Sequence, residues 1–288
     1  MKILVLGVSG MAGHVVALYL KERGFDVVGV ARSKIDFCDF VELDVLNLAN
    51  MDQFLAKEKF DYVINCVGAL NKSVDEEMFR GIFLNSAFPH YLADKLSDKH
   101  TKIIHISTDC VFRGDRGSYD ENAIKDANSM YGMSKALGEI IDEKNLTFRT
   151  SIIGPEIRTN GIGLFHWFMK QEKMVDGFAN VIWTGITTLE LAKAIEAAII
   201  QDITGLYHLV NNRKISKYNL LKLLNRYMRE EPICIRKSDT IFSDKSLTNT
   251  RQDFDFHVSS YEMMIEDLKK WIINHPQLYG EYVKNFNW

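Results

Sequence analysis

The sequence predicts an α/β protein, a Rossmann-type doubly wound parallel sheet carrying a smaller C-terminal substrate-binding lobe. Three observations carry that prediction. Short, uniformly apolar runs of strand length recur through the first half of the chain, which is how strands covered on both faces read. Helical stretches separate them, so successive strands are joined by crossovers and run parallel. The first run ends in a glycine-rich turn that opens directly into a helix.

In chain order the strand candidates are 2–6, 27–31, 41–43, 62–67, 103–106 and 148–153, and the helices between them 14–23, 50–58, 85–96 and 134–143. Beyond Gly154-Pro155 the alternation loosens. Residues 187–200 read as a helix with Thr187 or Thr188 as cap and Glu190 in its first turn, 205–210 as a strand and 216–228 as an amphipathic helix. Residues 261–273 repeat the apolar i, i+3, i+4 pattern. The expected division is a dinucleotide-binding domain over 1–155, to which 187–210 return, and a substrate lobe made of 156–186 and 211–288.

Composition excludes several classes. With 288 residues, 47% hydrophobic and 25% charged, the chain is an ordinary globular protein with room for one large or two unequal domains. A formal charge of −3 gives no basic field for a polyanion, so nucleic acid is not an expected partner. Cys38, Cys66, Cys110 and Cys234 are far apart and form no CxxC or Cys/His cluster, so neither a disulfide framework nor a metal site is expected. Reduced thiols fit a cytoplasmic protein. The stretch 3–20 is nearly uncharged, but Gly7, Ser9, Gly10, Gly13 and His14 interrupt it where a strand, turn and helix need them. No targeting or membrane segment is therefore expected, and homodimerisation is left open.

The turn is Gly7-Val8-Ser9-Gly10-Met11-Ala12-Gly13. Glycine serves its positive φ, the close approach of a pyrophosphate and the packing of helix on strand, while exposed N–H groups at the helix start bind phosphate. An acid at the end of the second strand would select NADH, yet that strand ends Ala31-Arg32-Ser33. Arg32, with Ser33 as a further donor, suits a ribose 2'-phosphate, so NADPH is expected and NADH is the alternative. Asp44-Val45 after the third strand are placed to meet adenine. Cys66-Val67-Gly68 after the fourth permit close approach to the adenosine ribose and phosphates, with Asn65 and Asn85 as polar ties.

Tyr131 and Lys135 supply an acid–base pair on one helix face, capped by Asn128 or Ser129. A free phenol titrates near ~10, and a nearby lysine lowers that value, so Tyr131 is the expected proton donor and Lys135 the cation that activates it and binds the cofactor ribose. The same spacing recurs at Tyr91/Lys95 and Tyr218/Lys222, which lack a hydroxyl-ended strand upstream. Ser107-Thr108-Asp109 closes a central strand: Thr108 is the candidate to stabilise a developing oxyanion, Ser107 the alternative hydroxyl and Asp109 a substrate-orienting group. In the second half, Arg213, Lys214, Arg236, Lys237, Lys245 and Arg251 are candidates for a pyrophosphate clamp. Trp167, Phe168, Trp183 and Phe242 are candidates either to stack on a base or to fill the core.

On Gly7 to Gly13, Ser107-Thr108-Asp109-Cys110-Val111-Phe112, Gly114, Gly117, Glu121, the run Tyr131 to Glu139 and Arg149-Thr150-Ser151, the chain resembles the extended short-chain dehydrogenases/reductases, and within them the sugar-nucleotide 4-ketoreductases. The resemblance implies NADPH-dependent reduction of the 4-keto group of a nucleotide-activated deoxysugar for glycan precursors, with Thr108, Tyr131 and Lys135 as the catalytic triad. Cys110 stands where those reductases carry tyrosine and Ile152 where a tryptophan faces substrate, so the sugar is open. Asp109-Cys110 also lacks the second carboxylate that a related dehydratase uses. An NAD-retaining epimerase and a non-catalytic dinucleotide-binding subunit are the competing functions.

Overall fold

The computed structural model describes residues 1–158, 160–284 and 286; Thr159, Asn285, Asn287 and Trp288, all within the expected substrate lobe, lie outside the described residues. Its centre is a seven-stranded sheet, every pairing parallel. Six strands, β1 (Lys2–Leu6), β2 (Asp26–Ala31), β3 (Asp39–Glu42), β4 (Tyr62–Asn65), β5 (Lys102–Thr108) and β6 (Leu146–Thr150), are joined by the late strand Gly205–His208. The order is Gly205–His208, β6, β5, β4, β1, β2, β3, so the chain winds outward from β1 in both directions. That reversal opens a crevice beyond the carboxyl ends of β1 and β4, where ligands of such sheets bind.

The two-residue side-chain period of β1 explains the layering. Ile3 and Val5 point into a core formed with helix α1 (Met11–Glu22) and helix Thr188–Gln201. Leu4 and Leu6 point the other way, into a core shared with Met51 and Leu55 of helix α2 (Leu48–Lys57) and with Leu92. All four are wholly buried, as a strand covered by helices on both faces requires. Helices Tyr261–Asn274 and Pro276–Val283, assigned in sequence to the substrate lobe, share the first core: His275 Nε2 lies 2.7 Å from Glu22 of α1, and the Tyr279 ring meets His14 edge-on. The remaining second half forms small sheets, Val181–Trp183 between Ile215–Ser216 and Ser243–Asp244, and Met174–Phe178 beside Cys234–Ser238.

Element ends differ from the sequence expectation where side chains intercept the backbone. β4 stops at Asn65 because the Val67 N–H is taken by Asn65 Oδ1 at 3.1 Å rather than by a ladder. The expected strand 148–153 breaks at Ser151, and Ile152–Ile153 pair instead with Ile186–Thr187. The expected helix 134–143 runs Met130–Leu137; it ends at Gly138, where a Cβ would overlap the Asn85 carbonyl oxygen. Asn85 itself sits in a π-helical turn, Phe83–Ala87, and holds Ala69 by both its N–H and C=O, at 2.9 and 3.0 Å. No helix among the described residues is long and apolar enough to cross a membrane.

Candidate active site

One cleft of about 920 Å³ runs along the carboxyl ends of the strands, from the glycine turn to the end of β5. At its base Gly7 has φ +77°, in the region glycine alone enters without strain, and its N–H and that of Val8 donate to Val30 O of β2 at 3.1 and 3.2 Å. A Cβ at Gly13 would collide with the Gly7 carbonyl, so Gly13 sets the seat of α1 on β1 rather than the cleft wall. Gly10 caps α1 with no side-chain hydrogen bond, which leaves the helix's first N–H groups open toward the cleft. Gly7, Ser9, Gly10, Met11 and Ala12 line it. These features fit a dinucleotide pyrophosphate.

Further along, Arg32, Asp44, Val45, Cys66, Val67 and Gly68 also line the cleft, whereas Ser33 falls outside it. Asp44 Oδ1 accepts from the Leu46 N–H at 3.1 Å, which orients the carboxylate within its own turn. Burial pushes the Cys66 thiol up to about 12, so it is a small apolar wall and not a nucleophile. Arg158 is a cleft residue that sequence reasoning missed: its Nη2 donates to Ser9 Oγ at 2.6 Å, across 149 residues, and no local pattern announces it.

At the far end Thr108 terminates β5 and Tyr131 enters from helix Met130–Leu137, whose cap Ser129 accepts from the Gly132 N–H at 3.1 Å. The Thr108 hydroxyl accepts from the Cys110 N–H and donates to Asp109 Oδ1, each at 3.2 Å, and Thr108 acts to lower the pKa of the Tyr131 phenol. Lys135, one turn on, is buried and donates to Ile106 O at 2.7 Å. Thr108, Tyr131 and Lys135 are thus brought together on the cleft wall.

The electrostatics of this corner reverse one expectation. Lys135 was expected to lower the Tyr131 pKa, but burial raises it, with Cys110 and Asp109 adding to the rise, Thr108 opposing it and Lys135 not among the acting groups. Burial instead brings Lys135 down to about 8, against the raising influence of Glu139 and Cys66. Tyr131 therefore remains a protonated donor at neutral pH. Ser107, expected as the alternative substrate-facing hydroxyl, lines the cleft, but its Oγ donates to Glu139 Oε1 at 2.7 Å.

Asp109 is buried, and burial raises its carboxyl pKa while Lys245 and Lys217 oppose the rise. Both lysines come from the second half of the chain. Lys217, which the sequence did not single out, starts the helix Lys217–Met228 and lies 5.1 Å over the Trp183 ring. Most of the expected clamp is spent in local pairs: Arg236 on Asp176, Lys214 on Asp244, Lys237 on Asp239, and Arg251 on Asp253 and the Thr204 and Leu206 carbonyls. Trp183 and Phe168 are core residues, while Phe242 is exposed. The two repeat patterns are local as well, with Lys95 and Tyr91 both on Asp52 and Lys222 over the Tyr218 ring. Among the described residues no group of three or more His, Cys, Asp or Glu side chains could hold a metal ion.

Residues 1–247 match the family model described as the RmlD substrate binding domain. The chain belongs to that family. A dTDP-4-dehydrorhamnose reductase from Aggregatibacter actinomycetemcomitans is 27% identical over 232 residues, 76% of each chain. Among solved structures, a hypothetical dTDP-4-dehydrorhamnose reductase from Sulfolobus tokodaii superposes with a TM-score of 0.77 at 26% identity, over 91% of this chain and 98% of that one. The dTDP-4-dehydrorhamnose reductase of Bacillus anthracis in complex with NADP has a TM-score of 0.80 at 20% identity, over 93% and 98%. This RmlD-family chain thus carries its glycine turn and its Tyr131/Lys135 helix on one continuous cleft.

Proposed function

We propose that this chain is an NADPH-dependent reductase of the 4-keto group of a nucleotide-activated deoxysugar, working in glycan precursor synthesis. The observation that carries the reading is that Thr108, Tyr131 and Lys135 line one end of a cleft whose other end is the glycine turn. The printed names of the relatives, and the NADP of the Bacillus anthracis complex, support it.

Gly7, Ser9, Gly10, Met11 and Ala12 would hold the dinucleotide and Arg32 its 2'-phosphate, and NADPH held there would supply the hydride. Tyr131 gives its proton to the carbonyl oxygen as charge develops there, and Thr108 donates a hydrogen bond that fixes that oxygen. Lys135 holds its amine at the base of the pair through Ile106 O. Asp109, on whose carboxyl Lys245 and Lys217 act, orients the sugar. Cys110 and Ile152 line the cleft at the positions where the resemblance implies tyrosine and tryptophan, and they bear on which sugar is accepted.

NADPH oxidation against dTDP-, UDP- and GDP-linked 4-keto-6-deoxysugars tests the reaction, and one of them is expected to turn over. Product formation without added NADPH would mark an epimerase, and bound dinucleotide with no turnover on any of them a non-catalytic subunit. Arg32→Ala is expected to lower kcat/KM for NADPH by about tenfold or more, the worth of one charge-assisted hydrogen bond, while leaving NADH unchanged. An unaltered NADPH/NADH ratio would remove Arg32 from the 2'-phosphate site.

A further inference from the structure

Behind the catalytic lysine lie two fully buried polar side chains that the reaction does not use, Asn65 and His105. They are in-register neighbours on β4 and β5, and the helix that carries Lys135 packs over them. Their partners leave little freedom in how hydrogens are placed. The Val67 backbone N–H, which can only donate, points at Asn65 Oδ1 at 3.1 Å, and this fixes which end of the amide is oxygen. The Asn65 Nδ2, also only a donor, then faces His105 Nδ1 at 3.1 Å. Nδ1 must accept, so the proton of a neutral His105 sits on Nε2. Nε2 in turn faces Lys135 Nζ at 3.4 Å.

That last contact discriminates between the two charge states of the lysine. An ammonium has three donors and no acceptor, so against Nε2–H it makes a donor–donor contact. A neutral amine offers a lone pair that Nε2–H can reach. Reversing the imidazole tautomer to suit the ammonium only moves the clash to Asn65 Nδ2. The other contact of Lys135, Ile106 O at 2.7 Å, accepts a hydrogen from either form and does not choose.

We propose that Val67 N–H, Asn65 and His105 form a one-way hydrogen-bond chain that makes His105 a donor to Lys135 and so favours the neutral amine of the catalytic lysine. His105 is in this view a positioning residue. The charged and titratable groups around the pair are accounted for. From the turn beyond its helix Glu139 favours the ammonium but is itself paired with Arg149 and Lys125, and Tyr131, on the same helix, is a protonated phenol. From the end of β4 it faces Cys66, whose thiol burial keeps protonated. His105 is held neutral by burial first, then by Lys135 and by His90 from helix Phe88–Lys95. Burial brings Lys135 down to about 8, the direction in which the chain also acts. An amine that releases its proton that close to neutrality can pass one toward Tyr131 during turnover, and this last step alone rests on the reductase function.

The test needs no substrate. In protein labelled with 15N-histidine, the imidazole spectrum is expected to show His105 protonated on Nε2 and bare on Nδ1; the opposite tautomer would overturn the chain in the wild type itself. In protein labelled at the lysine Cε, with the Lys135 signal assigned by its loss in Lys135→Arg, the titration midpoint is expected to rise by about one pH unit or more, a tenfold change in the charged fraction, in both His105→Phe and Asn65→Asp. Asn65→Asp keeps the shape of the amide but offers an acceptor to Nδ1, which turns the chain around and presents Nε2 as an acceptor to the ammonium. Midpoints within about 0.3 pH unit of the wild type in a folded variant would overturn the proposal. If a nucleotide sugar turns over, the alkaline limb of kcat/KM is expected to move with the midpoint. A moved midpoint with no turnover on any sugar would leave the chain standing and discard the reductase function.

Discussion

Tyr131→Phe is expected to bind NADPH as the wild type does and to reduce its sugar more slowly by about 10²–10⁴, the contribution of a positioned proton donor. The substitution removes one hydroxyl and leaves the ring, whose neighbours on helix Met130–Leu137 and at the end of β5 keep their places. The loss should fall on kcat, since the proton moves only as the oxyanion forms. Because burial raises the phenol pKa, Tyr131 does not ionise across the neutral range, and any alkaline fall in activity near pH 8 belongs to Lys135 instead. Near-wild-type turnover with NADPH bound would remove Tyr131 from the chemistry and, with it, the observation on which the proposed reaction rests.

The second large effect is on stability and lies beneath the cleft. Glu139 and Arg149 are both almost wholly buried, joined by Arg149 Nε to Oε1 and Nη2 to Oε2, each at 2.8 Å. Ser107 Oγ and Lys125 Nζ complete the carboxylate at 2.7 and 3.0 Å, and Arg149 Nη1 donates to His208 Nε2 at 2.7 Å. The network ties the end of β5, the turn after Met130–Leu137, β6 and the edge strand Gly205–His208 into one unit. Burial alone would raise the Glu139 carboxyl, but the hydrogen bonds and charge of Arg149, then Lys125 and Ser107, hold it below the ordinary carboxylate range. Glu139→Gln leaves a guanidinium that cannot shed its charge in a dry site, and the expected cost is about 3–5 kcal/mol, read as a fall in the urea midpoint. The sign with pH follows. A carboxyl with a depressed folded pKa contributes fully above its unfolded value of 4.5 and loses that contribution as pH falls through its folded value, so wild type and variant should converge in acid. An unchanged midpoint at neutral pH would show that the pair is not stabilising.

These two predictions differ in how far the sequence foresaw them. Tyr131, Lys135 and Thr108 stand out because their chemistry is local: a helix puts the first two on one face, and a strand end exposes the third. The glycine turn is legible for the same reason, since backbone dihedrals and close approach are demands on single residues. The Glu139–Arg149 pair was not. The expected helix 134–143 places Glu139 in mid-helix, whereas the helix ends at Leu137, with Gly138 packed on the Asn85 carbonyl, and Glu139 lies beyond it. Arg158 on Ser9 and Lys217 beside Asp109 likewise join residues far apart in the chain. The expected sign of the Tyr131 shift failed because charge proximity can be guessed from spacing, whereas desolvation depends on every element packed around the group.

By itself the sequence determined the alternation of strands and helices, the dinucleotide turn, the arginine at the end of β2 and the candidate trio Thr108, Tyr131 and Lys135. All of these are set by periods of two and of 3.6 residues, or by what one residue type can do. The tertiary structure decided what those side chains are worth: which hydroxyl is spent on Glu139, which lysines act on the Asp109 carboxyl, and which charges at the site are buried. It also turned Asn65 and His105 from polar fillers of a sheet into a directed chain behind Lys135. Hydrogen-bond direction and desolvation are properties of neighbours, and in this fold the neighbours of Lys135 come from β4, β5 and the helix that carries it.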